Sequence, residues 1–231
     1  MAIAPSSKAS DVSKPGARRS GRKADTGKLF MVPVAGVMLV LDLAALLGRG
    51  TPATATGALR WVNALLTCAF YALILSSYLR RGQAVATGES KIGWVVAVVA
   101  TFMPLPFPLL HGAAPGLVRQ LAADLLLVAG MAWAVWSLRC LGRNLSVIAQ
   151  ARGIADRGPY RLIRHPLYAG EIVSALGLAL AAGSAAAFAL WLALVAMQAY
   201  RARQEEKVLL SALPGYAAYR ARTAALLPYV F

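Results

Sequence analysis

Apolar residues come in long, nearly charge-free blocks separated by short basic stretches. Leu29–Gly48 is 20 residues interrupted only by Asp42. At about 1.5 Å per residue it matches a hydrocarbon core of about 30 Å. Trp61–Leu79 and Ile92–Leu110 carry no charge, and Leu117–Leu141 is apolar apart from Arg119, Asp124 and Arg139. Ile172–Tyr200 has no Asp, Glu, Lys or Arg over 29 residues. A single helix of that length would run about 43 Å, too long for one crossing. The Ala-Ala-Gly-Ser sequence at 181–184 offers a break into two helices forming a hairpin. The pattern predicts an all-α polytopic transmembrane helical bundle of about six spans, closed by that C-terminal hairpin. Residues 1–28 form a basic tail expected to be disordered, 29–138 a scaffold of four helices, and 139–231 the region that carries the chemistry.

Composition narrows the class. The chain of 231 residues is 59% hydrophobic and 14% charged, against about 25% charged in soluble domains. An ordinary soluble enzyme is excluded. The net charge of +15 would suggest nucleic acid on a soluble chain. Here the cations sit between apolar runs, so topology accounts for them and no nucleic-acid partner is expected. With six spans, segments 1–28, 80–91, 139–166 and 201–231 hold 21 Lys and Arg, and the opposite side only Arg49, Arg60 and Arg119. The positive-inside bias then puts both termini in the cytoplasm. The basic tail has a topogenic role and a possible second one on anionic lipid. It lacks the apolar run of a signal peptide. With the Ala/Gly/Arg-rich composition, this suits a bacterial inner membrane protein. Cys68 and Cys140 have no metal-ligand spacing and imply no disulfide framework.

Candidate chemistry concentrates between the fourth and fifth spans. Residues 139–171 hold six Arg and one of the two His. Gly158-Pro159 predicts a turn, and Pro166 suits the first turn of a helix, where its missing amide has no partner to lose. Arg164 and His165 then lie beside a helix N-terminus, which favours an anion. The competing reading is interfacial, since Arg, Tyr and His also anchor helices at a membrane boundary. The second cluster is Tyr200-Arg201-Ala202-Arg203-Gln204-Glu205-Glu206-Lys207. On a continuing helix Arg201 and Glu205 share a face and could form a surface ion pair. Alternatively the pair is split, Glu205 holding a polar cofactor and Arg201 an anionic substrate group, which its planar fork binds bidentately. No His or Cys stands near enough to complete a metal site. Asp42 and Asp124 are intramembrane acids, Asp124 deep enough to pair with Arg119 or with a polar group across the bundle.

Over residues 139–231 the sequence resembles the isoprenylcysteine carboxyl methyltransferase family of integral-membrane enzymes. The resemblance rests on Gly142-Arg143-Asn144-x-Ser146, Gly158-Pro159-Tyr160, Arg164-His165-Pro166-x-Tyr168-x-Gly170, Glu205-Glu206, Tyr216-x-x-Tyr219 and Leu227-Pro228. It implies S-adenosylmethionine as cofactor, in a cytoplasmic pocket built from the loop and both ends of the hairpin. By the same resemblance Gln150, Arg152, Gly153, Ile154 and Ala155 lie along the adenosine. Tyr160, His165, Pro166, Leu167, Tyr168 and Glu205 contact the cofactor, and Arg201 faces the substrate as the catalytic residue. The implied reaction is methyl transfer to a lipophilic acceptor that enters from the bilayer, first of all a carboxylate such as that of an isoprenylcysteine. Phospholipid amines and small thiols are alternative acceptors. A transporter built around Asp42 and Asp124 is the contrasting class. It is disfavoured because polar residues gather at the cytoplasmic helix ends and no internal repeat is visible. A membrane scaffold working through its basic tail is the other non-enzymatic reading. Oligomeric state is not legible.

Overall fold

The computed structural model describes residues 26–110 and 112–226. Seven helices run in the order α1 (Thr26–Leu47), α2 (Ala55–Arg80), α3 (Lys91–Phe102), α4 (Leu117–Leu141), α5 (Pro166–Ala182), α6 (Ala185–Ala212) and α7 (Tyr216–Ala221). A two-stranded ribbon, β1 (Ala86–Thr87) and β2 (Gln150–Ala151), is the sole sheet among them. It is antiparallel, with Thr87 opposite Gln150. Within the described residues four helices, α1, α2, α4 and α6, are long and apolar enough to cross a membrane. Their outward faces carry exposed Leu41, Val40, Leu65, Leu125 and Leu192. So much uncovered apolar surface is stable in lipid and not in water. The chain is an all-α membrane bundle.

The third predicted span needs correction. Ile92–Leu110 is not one crossing helix: α3 stops at Phe102 after 12 residues, about 18 Å. Pro104, Pro106 and Pro108 explain the stop. Each lacks an amide donor and its ring clashes with the preceding turn, so the helix ends before them. The segment continues as turns and a short 3-10 helix at Phe107–Leu109. At the other end of the chain, Thr26, Gly27 and Lys28, counted with the basic tail in the sequence, already belong to α1. The rest of that tail, residues 1–25, lies outside the described residues.

The hairpin breaks where the sequence offered a break. Gly183 takes a left-handed conformation, φ 64°, and caps α5. Ser184 caps α6, its hydroxyl accepting from Ala187 N at 3.1 Å. Trp191 Nε1 donates to Ile172 O at 3.0 Å across the hairpin.

Helices α4 and α5 touch through their backbones. A Cβ on Gly130 would lie 2.4 Å from Ser174 N, one on Gly170 2.8 Å from Gly130 O, and one on Gly177 2.7 Å from Ala123 O. Small residues allow such contact in membranes, where van der Waals packing replaces the hydrophobic drive. Gly130→Leu is therefore expected to push the helices apart and destabilise the fold by about 3 kcal/mol or more. Thermal midpoints in detergent check this against Gly36→Leu, since a Cβ at Gly36 meets nothing within 4 Å.

Candidate functional site

One end of the bundle gathers the polar motifs through three local devices. Gly158 adopts φ 55°, and Pro159 then opens the 3-10 turn Gly158–Arg161, which buries Tyr160. Pro166 occupies the first turn of α5 directly after His165. Helix α6 runs on to Ala212, so Arg201 and Glu205 fall one turn apart on its inner side.

Those two residues do not pair with each other. Glu205 Oε2 accepts from Tyr168 Oη at 3.0 Å and lies 3.8 Å from His165 Nδ1. Arg201 donates from Nη1 to Gln198 Oε1 at 2.9 Å and from Nη2 to Val147 O at 3.1 Å. Its guanidinium stands 4.7 Å from the centre of the Tyr168 ring. Arg201 is only 8% exposed, and its Nε is buried with no hydrogen-bond partner. The His165 and Tyr168 rings stack, 5.5 Å between centres and 2° from parallel.

Arg164, which also lines the large cavity, is engaged by protein groups. Its Nε lies 2.7 Å from Glu206 Oε1, and Nη1 donates to the carbonyls of Arg220 and Thr223. The backbone amides of Arg164 and His165 donate to Ala224 O at 2.8 Å and Ala225 O at 3.1 Å. These donors clamp the segment after α7 onto the start of α5. Glu206 also meets His165 Nε2 at 3.2 Å and Arg220 Nε at 3.2 Å.

Tyr219 closes the same clamp, its hydroxyl donating to Tyr160 O at 2.8 Å. Burial outweighs the nearby Arg164 and pushes its phenol up to about 12. Burial, with Glu205 next, also raises the Tyr160 phenol well above its ordinary value. A raised tyrosine favours the neutral donor in the folded state. The Tyr219 contribution is thus complete below about 10 and lost as pH rises through about 12. Tyr219→Phe is expected to destabilise by about 1 kcal/mol at neutral pH, and chemical denaturation should show the difference from wild type shrinking above that range.

Tyr160, His165, Leu167, Tyr168, Arg201 and Glu205 all line one cavity of about 310 Å³. From this polar end its wall continues past Glu171, Gln198 and Ser174 to apolar Phe70, Ile74, Leu127, Met131, Leu178 and Leu194. A smaller cavity of about 130 Å³ shares Val147, Tyr168, Arg201 and Glu205, and adds Ser90, Trp94, Gln204 and Lys207. Pro166 is buried at the start of α5. Gln150 and Arg152–Ala155 are not brought into either lining. Gln150 sits in the ribbon, accepting from Ser146 Oγ at 2.7 Å and Arg152 Nη2 at 2.7 Å, and Arg152 also donates to Gly82 O. Gly153 packs beside the Asn144 side chain. Leu227-Pro228 lies outside the described residues.

Residues 118–214 match the family model of the phospholipid methyltransferases. Over that stretch the chain is similar to this family of integral-membrane methyltransferases, which includes the isoprenylcysteine carboxyl methyltransferases. The family resemblance carried by the motifs agrees with it, and the match indicates a membrane methyltransferase. Members generally use S-adenosylmethionine. No curated protein matches the chain. The matched stretch takes in α5, α6 and nearly all of α4, and hence every polar residue of the large cavity from Ser146 to Glu205.

Glu171 and Gln198, a hydrogen-bonded pair in the cavity wall, were not singled out in the sequence. Gln198, 1% exposed, donates from Nε2 to Glu171 Oε2 at 2.5 Å. Glu171 ends the His165-Pro166-x-Tyr168-x-Gly170 run and could have been noticed there as an acid entering an apolar block. Gln198 gave no charge signal. The intramembrane acid Asp124 pairs elsewhere than with Arg119: Gln120 Nε2 donates to it at 2.9 Å and Arg60 Nε lies 3.6 Å away. Arg119 instead donates to Ala113 O. Asp42 lies on α1 and lines neither cavity. Among the described residues no group of three His, Cys, Asp or Glu is placed to hold a metal.

Proposed function

We propose that this protein transfers a methyl group from S-adenosylmethionine to the carboxylate of a lipophilic acceptor such as an isoprenylcysteine. The observation that carries the reading is the single cavity joining a polar end at Arg201 and Glu205 to a long apolar wall. An amphipathic substrate needs both. It would enter sideways from the bilayer while the polar cofactor arrives from the aqueous side. That side is the cytoplasm if the basic segments obey the positive-inside bias, which also places both termini there.

The residues present suit the cofactor, which carries a sulfonium and an ammonium. Glu205 has no arginine or lysine partner among the described residues, its contacts being Tyr168 and His165. It offers uncompensated negative charge beside two stacked aromatic rings, a favourable setting for a cation. Arg164 is already matched by Glu206. Tyr160, His165, Leu167, Tyr168 and Glu205 would hold the cofactor. When bound, S-adenosylmethionine supplies a methyl group made electrophilic by its sulfonium.

Arg201 orients the acceptor. A carboxylate is already an anionic nucleophile at neutral pH, so no general base is needed. Its oxygen forms the new C–O bond as the C–S bond breaks, and the electron pair of that bond stays on sulfur. The protein contributes alignment and exclusion of water. Gln150 and Arg152–Ala155 would reach the adenosine only from the ribbon beside the cavity.

The test is methyl transfer by the purified protein in nanodiscs with labelled S-adenosylmethionine. N-acetyl-S-farnesyl-cysteine is expected to gain a base-labile methyl ester. Label in phosphatidylethanolamine alone would establish the second reading, an amine acceptor, which the description of the matched family favours. No transfer to either, or to a small thiol, would overturn the proposal.

A further inference from the structure

Among the described residues Arg201 reaches no carboxylate directly. Gln198 stands between it and Glu171, with Nε2 on Glu171 Oε2 at 2.5 Å and Oε1 on Arg201 Nη1 at 2.9 Å. All three residues line the large cavity. An amide can face either way, but a guanidinium only donates. Arg201 therefore takes the amide oxygen, which leaves the NH₂ toward Glu171. Val147 O takes Nη2, and the guanidinium carbon lies over the Tyr168 ring, 4.7 Å from its centre. The fork is held on one edge by neutral groups alone, while Nε remains buried and unpartnered.

We propose that Glu171 is a positioning residue that, through Gln198, orients Arg201 for an acceptor anion without neutralising it. A direct Glu–Arg ion pair would satisfy the same buried groups and would consume the charge. An amide spacer orients the guanidinium and leaves its charge for a bidentate anion. The inference rests on the proposed carboxylate acceptor, and it identifies the pair that selects an anion over its neutral ester.

The experiment compares binding of N-acetyl-S-farnesyl-cysteine and its methyl ester to protein in nanodiscs by calorimetry. The variants are Glu171→Gln and the exchange Glu171→Gln/Gln198→Glu. The exchange keeps composition, net charge and both buried hydrogen bonds, but sets a carboxylate directly on Arg201. Wild type is expected to prefer the acid by about tenfold or more, the range of a charge-assisted hydrogen bond. Both variants should lose that preference while retaining the ester. A purely structural role would be restored by the exchange, so a wild-type preference there overturns the proposal, as does equal binding of acid and ester by wild type. If the exchanged protein does not fold, Glu171→Gln decides alone, and an undiminished preference overturns the proposal. S-adenosylhomocysteine titrated into the same samples separates the two readings. Its failure to bind wild type removes the cofactor reading, while the acid-to-ester ratio still judges Glu171.

Discussion

Arg201→Ala is expected to lower kcat/KM for a prenylcysteine acceptor by about 10²–10³-fold, with S-adenosylhomocysteine binding retained. Removing one member of a buried charged contact costs about 3–5 kcal/mol, and each 1.36 kcal/mol is tenfold in rate. Arg201 is almost wholly buried, and its truncation also strips donors from Gln198 Oε1 and Val147 O. Arg201→Lys keeps the charge and loses the planar fork, so it should fall between alanine and wild type. Steady-state kinetics beside calorimetry reads both numbers. An alanine variant that lost cofactor binding and acceptor turnover together would place Arg201 in the wrong half of the site.

Glu205→Gln is expected to weaken S-adenosylmethionine by about 10–100-fold while leaving the fold intact. The replacement is isosteric and can keep the Tyr168 hydroxyl at its 3.0 Å partner. It removes the negative charge that no arginine or lysine among the described residues offsets. A hydrogen bond to a charged group contributes about 1.5–3 kcal/mol, which sets the range. Glu206→Gln provides the contrast. That acid is bound to Arg164, Arg220 and His165, so its loss should lower the thermal midpoint more than it weakens the cofactor. A larger cofactor defect in Glu206→Gln than in Glu205→Gln would reverse the assignment.

Much of this architecture was legible in the sequence because the signals were local. The hairpin turn is written in Gly183 and Ser184, one able to take positive φ and the other to cap a helix. The start of α5 is written in Pro166, and the long blocks announce α1, α2, α4 and α6. The third block misled because its hydropathy hides three prolines; Ile92–Leu110 is apolar throughout, yet the backbone cannot stay helical past Phe102. The site was legible in part for the same reason. Tyr160, His165, Leu167, Tyr168, Arg201 and Glu205 fall into one cavity lining, having been singled out by motifs spread over 46 residues of sequence. What was hidden depends on long-range partners. Arg164 looked free to bind an anion, but its carbonyl partners at 220 and 223 arrive from a segment 56–59 residues away. Gln198 is a neutral amide in an apolar helix, and only the approach of α5 gives it Glu171. The ribbon pairing of Gln150 depends on residues 86–87, which no local pattern around 150 could reveal.

On the proposed reading, the polar end of the cavity binds S-adenosylmethionine through the His165–Tyr168–Glu205 group. Calorimetric titration of S-adenosylhomocysteine into purified wild type and His165→Ala tests it most directly. Wild type is expected to bind, and the variant to lose binding, because its missing ring removes both the stack on Tyr168 and the contacts to the two glutamates. Folded wild-type protein that takes up no S-adenosylhomocysteine, or a variant that binds it as tightly as wild type, would contradict the account.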